Sequence, residues 1–217
     1  MKLFVFILTL LLAACNNTST HTVITKPLNS KDTTITLKNT LGEITITVPN
    51  RYDTFLVWTQ HSDCSRCGNE KYRFQPKGLP IFKESGFYWY DRKDSVDQFT
   101  IEHPQYITIN DSLPVNAINI LHARMLEEAN SDPLMYKDKF HLDTIKNING
   151  MMFSIIISEN YDDSTKIYSK TLWGTILIKG NKVRFKFALL TSRQDSITKN
   201  FIKNSMELLH QIKRKGL

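Results

Sequence analysis

The stretch His61-Ser62-Asp63-Cys64-Ser65-Arg66-Cys67 holds the densest set of reactive side chains in the sequence. Two thiols in a Cys-x-x-Cys spacing, with an imidazole just ahead of them, permit three kinds of chemistry. They can close a local disulfide, exchange one with a substrate thiol, or bind a soft metal ion. A disulfide between Cys64 and Cys67 closes so small a loop that its contribution to stability is modest, about 1–2 kcal/mol. Thiol–disulfide exchange would use Cys64 as nucleophile and Cys67 as resolver, with Cys64 at a helix N-terminus that lowers its pKa. Gly68, Pro76, Gly78 and Pro80 interrupt such a helix, and Asp63 beside Cys64 raises the thiol pKa. A metal site of His61, Cys64 and Cys67 needs a fourth donor, Asp63 or His103, and lacks the second Cys/His pair of a structural zinc site. The local disulfide leads these readings, with redox exchange and metal binding as the alternatives.

Other clusters carry less. Phe87-Tyr88-Trp89-Tyr90 cannot all face one core if extended, because successive side chains alternate, so part of this run forms a candidate binding patch. Packing under a long segment is its competing account. Glu127-Glu128 and Asp162-Asp163 are adjacent pairs that point apart in a helix or strand, and they read as solvated surface. Asp91, Asp94 and Asp97 lack the glycine and backbone pattern of a calcium loop. His122 lies beside an apolar stripe and reads as a boundary polar residue. No G-x-S-x-G, H-E-x-x-H, phosphate loop or EF-hand motif occurs, so the sequence argues against catalysis and calls for no cofactor.

The 217 residues are 41% hydrophobic and 23% charged, with 8 Gly and 7 Pro, which excludes collagen-like, low-complexity and disordered classes. Net charge is +7, from 28 Lys+Arg against 21 Asp+Glu, and the charges are spread along the chain. Arg184 and Lys186 alternate with Phe185 and Phe187, which predicts a wet sheet face rather than a nucleic-acid stripe.

The N-terminus sets the expected address. Met1-Lys2 is a short positive start, and Leu3 to Leu12 is an apolar run too short to span a bilayer as a helix. Leu12-Ala13-Ala14-Cys15 follows, and it resembles the lipobox of bacterial lipoproteins. The resemblance implies that residues 1–14 are a signal peptide, that Cys15 is acylated, and that the bilayer is the first partner. Several acyl chains at about 0.8 kcal/mol per buried methylene make a permanent anchor. Asn16 rather than Asp after the acylated Cys implies, by the same resemblance, the outer membrane, facing the periplasm. Residues 15–30, rich in Asn, Thr and Ser, read as a flexible tether, and 31–217 as one α+β domain. The second partner is an unidentified envelope protein or ligand, not nucleic acid.

Within the domain, Asp32–Leu37 and Glu43–Val48 alternate apolar and polar residues around a turn, which predicts a hairpin. Thr54–Trp58 is more continuously apolar and reads as a strand buried on both faces, and Gln105–Ile109 alternates like another strand. Ser112 and Pro114 open a predicted helix whose stripe is Val115, Ile118, Leu121, Met125 and Ala129. Asn149-Gly150 and Gly180-Asn181 predict two hairpin turns within a meander. Asp195 or Ser196 caps a closing helix with Ile197, Phe201, Leu208 and Ile212 on one face, widened by Ile202 and Leu209. Lys213-Arg214-Lys215 would complement its negative end. An antiparallel sheet of hairpins packed by two amphipathic helices is similar to the PsbP-like fold, which implies a partner-binding or assembly module. Residues 59–97 stand out as an insertion-like departure.

Overall fold

A computed structural model describes residues 29–38, 40–61, 67–80, 95–131 and 140–215. Alternating hydrophobicity around short turns produces two antiparallel sheets. Strands β1 (Ser30–Leu37) and β2 (Gly42–Pro49) form the first hairpin, and the two-residue β10 (Lys213–Arg214) adds to the other edge of β2. The larger sheet holds β3 (Thr54–Gln60), β4 (Asn69–Gln75), β5 (Val96–Pro104), β6 (Phe140–Ile148), β7 (Met151–Asp162), β8 (Ile167–Ile178) and β9 (Asn181–Thr191). Their order across it is β3-β4-β5-β9-β8-β7-β6. Helix α1 (Ala117–Ser131) lies on β6 and β7, and α2 (Ser196–His210) lies on β8, β9 and β2. The fold is α+β.

Each face of the large sheet is made by strict alternation. Phe99, Ile101, Phe153, Ile155, Leu172, Phe185 and Phe187 point one way and join the small sheet and α2 in one core. A ladder of rings crosses four strands of that face: Phe55 to Phe74 at 4.5 Å, Phe74 to Phe99 at 5.9 Å, Phe99 to Phe187 at 4.3 Å. Such cross-strand aromatic pairs fix register as well as burying area. On the opposite face, Ile156 and Trp173 meet Leu121, Met125 and Ala129 of α1.

Both helices are held by local signals. Asp195 caps α2, its carboxylate accepting from the Thr198 N–H at 2.9 Å. The carbonyls at the other end are met by Asn149, whose Nδ2 donates to His210 O and Ile212 O at 2.8 and 2.9 Å. One turn residue thus satisfies a neighbouring helix.

The first hairpin and the Asn149-Gly150 turn form as expected, the latter with φ of 51° and 80° at its central residues, as a type I′ turn requires. Several expectations are corrected. The second turn is Lys179-Gly180, not Gly180-Asn181, with φ of 48° and 80° and Ile178 opposite Asn181. The Asn181 side chain is engaged elsewhere: its Nδ2 donates to Thr108 O at 3.0 Å and its Oδ1 accepts from Thr108 N at 3.3 Å. Thr54–Trp58 lies in an edge strand, where Phe55 and Val57 are 49% and 46% exposed, so it is not buried on both faces. Gln105–Ile109 lies beyond the end of β5 and is not a strand. Residues 59–97 are not wholly an insertion, because they include β4 inside the sheet. Helix α1 begins at Ala117, and Val115 is fully exposed rather than part of the stripe. Lys213-Arg214-Lys215 is not the end of α2: it crosses to β2, where Lys215 Nζ lies 2.9 Å from Glu43.

Candidate functional site

The residues whose types could do chemistry are dispersed. Cys15, Cys64 and Phe87-Tyr88-Trp89-Tyr90 lie outside the described residues. His61 and Cys67 are exposed at the facing ends of β3 and β4, where Gln60 pairs with Asn69. Cys67 is disulfide-bonded, and its partner lies outside the described residues. Beyond Cys67 the chain enters strand β4, so the helix that the redox alternative would use does not follow Gly68, in line with the interruption expected there.

His103 is occupied on the inner face. Its Nδ1 sits 2.8 Å from Pro104 O, and its Nε2 3.4 Å from the Tyr72 hydroxyl. Burial holds its pKa below the ordinary histidine value, so it stays neutral. Beside it, buried Glu70 accepts from Lys38 Nζ at 2.6 Å and from Thr59 Oγ1 at 2.9 Å. This cluster fastens the end of β1 to the β3–β4 hairpin. No set of three metal-ligating side chains occurs among the described residues.

The outer face of β4, β5, β8 and β9 is charged yet buried, against the expectation of a wet surface. Arg184 is 7% exposed and Lys71 5%. Arg184 Nη1 donates to Glu102 at 2.9 Å, and its Nη2 donates to Glu128, which also accepts from Lys182 at 2.7 Å. Glu128 is therefore only partly solvated surface: its side chain is 41% exposed, and α1 brings its carboxylate onto the sheet. The Arg184 guanidinium lies 4.1 Å from the centre of the Trp173 ring, a cation–π contact that keeps a buried charge in place. His122 is a boundary residue, as expected: its Nδ1 lies 2.8 Å from Ser154 Oγ. Asp97 binds Arg51 and Tyr52, which gives it a structural role.

A hollow of about 300 Å³ at the end of the sheet is marked by none of the motifs. It lies where α1 begins and where strands β7 and β8 meet their turns. One wall is Leu113, Pro114, Val115, Ala117 and Ile118; the facing wall is Gly150, Met151 and Met152 with Ile176, Leu177 and Ile178. Arg214 of β10 completes it. Leu113, Val115 and Met152 are 41%, 105% and 42% exposed, so the rim is apolar and open. The Arg214 Nε is buried and has no hydrogen-bond partner. A concave apolar space with a polar group is what a small-molecule site requires. A second hollow, about 510 Å³ between Asp53–Phe55 and Gln75–Leu79, is lined by exposed Asp53 and Lys77, whose charges are opposite.

The wall at Leu113 is placed by a crossing segment. Asn110 N donates to Lys179 O at 3.1 Å, which carries residues 107–113 over the Lys179-Gly180 turn. A Cβ at Gly180 would stand 3.0 Å from Asn110 Cβ, and φ there is 80°. Gly180→Ala is expected to destabilise the chain by about 1–3 kcal/mol, combining left-handed strain with displacement of Asn110. Urea unfolding measures it, and a change under about 0.5 kcal/mol would show that the crossing segment yields freely.

No single sequence signal marks this hollow, because its walls come from residues far apart in the chain, from Leu113 to Arg214. The nearest hint is Val115, an apolar residue that the helix stripe absorbs when the sequence is read alone. Comparison of the chain with protein-family models, with curated proteins and with solved structures found no match.

Proposed function

We propose that this protein is a lipid-anchored envelope lipoprotein whose α+β domain binds a ligand or partner without catalysis. The observation that carries the binding role is the open apolar hollow between α1 and the turns of β7 and β8. The anchor rests on Leu12-Ala13-Ala14-Cys15 behind a ten-residue apolar run, with the outer membrane as its address. Two helices against an antiparallel sheet support the PsbP-like reading, in which such domains serve assembly rather than turnover. The Cys64–Cys67 disulfide belongs to this reading as a local staple. Among the described residues no helix is long and apolar enough to cross a membrane, and the proposed anchor does not call for one.

Two measurements test it. Cys15→Ser should move the protein out of the membrane fraction or leave it unprocessed, while wild type carries acyl mass. Wild type recovered without acyl mass would end the lipoprotein reading. An amphipathic fluorescent probe, 1,8-anilinonaphthalene sulfonate, should bind the folded chain, and Met152→Glu should weaken it at least tenfold. Met152 is partly exposed, so the substitution spares the core. Probe binding unaffected by Met152→Glu would place the ligand elsewhere.

A further inference from the structure

We propose that the hollow at the sheet end takes a medium-chain monocarboxylate, its tail between α1 and the β7–β8 turns and its carboxylate on Arg214. This rests on the binding role proposed above and specifies the ligand class. Shape is the first argument. At roughly 30 Å³ per water-sized group, 300 Å³ holds on the order of ten heavy atoms, which suits a chain of about eight to ten carbons. The walls, with Ile118, Met152 and Leu177 among them, offer such a tail no polar partner along most of its length.

Charge is the second argument. Among the residues lining the hollow, Arg214 alone is ionisable, and no acidic side chain faces it there. Its Nε–H is buried without an acceptor, as Arg184 Nε is elsewhere in the fold, so the part of this half-buried side chain open to an anion is the outer edge of the guanidinium. A carboxylate matches the planar fork of a guanidinium through two parallel hydrogen bonds. The first turn of α1 carries no acidic residue to oppose an anion, and its positive end adds to the same field. A neutral alcohol of equal length would fill the same space and leave Arg214 unanswered.

The test is displacement of the anilinonaphthalene probe from the full chain carrying Cys15→Ser, by octanoate, hexanoate, octanol and octylamine. Octanoate should bind at least tenfold more tightly than octanol, and octylamine should be the weakest. Shortening to hexanoate should weaken binding roughly tenfold, as expected for two methylenes. Arg214→Gln should erase the octanoate preference while leaving octanol unchanged, and Arg214→Lys should restore part of it. Equal displacement by octanoate and octanol, or a preference that survives Arg214→Gln, overturns the carboxylate assignment while the apolar site stands. Absence of any displacement, with the probe bound, removes the site and this assignment together.

Discussion

Arg184→Ala is expected to destabilise the protein by about 3 kcal/mol, read from urea unfolding monitored by the tryptophans. The Arg184 side chain is 8% exposed and its guanidinium serves Glu102 and Glu128 together, and breaking a buried pair typically costs about 3–5 kcal/mol. The lower end applies because the two carboxylates differ. Glu128 is 41% exposed and keeps Lys182, so water can take over part of the lost interaction. Glu102 is 14% exposed, and its ion pair with Lys71 is the longer one, at 3.5 Å. Trp173 would also lose the nearer of the two cations over its ring, keeping Lys186 Nζ at 5.5 Å.

The pH dependence of that loss has a defined sign. Burial disfavours ionised Glu128, but Arg184 and Lys182 outweigh it and hold its pKa below the ordinary 4.5. A carboxylate with a depressed folded-state pKa adds stability above its unfolded value, and that stability disappears as pH falls through the folded one. The gap between wild type and Arg184→Ala should therefore be full at neutral pH and shrink below about pH 4.5. A gap that stays constant down to about pH 2 would mean that Arg184 acts through packing on Trp173 and not through its carboxylates.

Asp97→Ala should do at least as much damage, about 3–5 kcal/mol, because it strands two partners at once. Asp97 and Tyr52 are 3% and 2% exposed, and the Tyr52 hydroxyl donates to Asp97 Oδ1 at 2.6 Å. Arg51 reaches both carboxylate oxygens at 3.2 Å. Burial, reinforced by the neighbouring carboxylate, pushes the Tyr52 pKa well above its ordinary value, so the hydroxyl remains a donor at every physiological pH. The three groups join the chain leaving β2 to the start of β5, and so couple the small sheet to the large one. Asp97→Asn keeps an acceptor without the charge and should cost about half as much. Hydrogen exchange should locate the effect, with faster exchange in β1 and β2 of the Asp97→Ala protein. A loss under about 1 kcal/mol would show that the sheets are held by the apolar core alone.

Local chemistry decides what the sequence determines by itself. Asn149-Gly150 makes its turn because both residues tolerate positive φ, and Asp195 caps α2 because a carboxylate reaches the first free N–H groups. Alternation identified β1, β2 and β9 for the same reason, since side-chain period is a property of the backbone, and the turn residues bracketed β7 and β8. The three-to-four-residue spacing of a helix likewise placed Leu121, Met125 and Ala129 on one stripe of α1.

Tertiary structure decided what covers each face. Alternation showed that Arg184 and Lys186 oppose Phe185 and Phe187, but not that α1 would lie across Arg184. A charged residue can be buried when a helix from elsewhere brings Glu128 to it. The same limit hid β4, whose Glu70, Lys71 and Arg73 resemble a solvated loop until partners 32 residues before Glu70 and 31 residues after Lys71 neutralise the first two. In the converse case, apolar Phe55 and Val57 suggested an interior strand, although nothing in a single strand says whether a neighbour exists on both sides. The hollow lies furthest from the sequence. Leu113, Met152, Ile178 and Arg214 become neighbours only when the meander, α1 and the final strand have all docked, because each wall belongs to a different element.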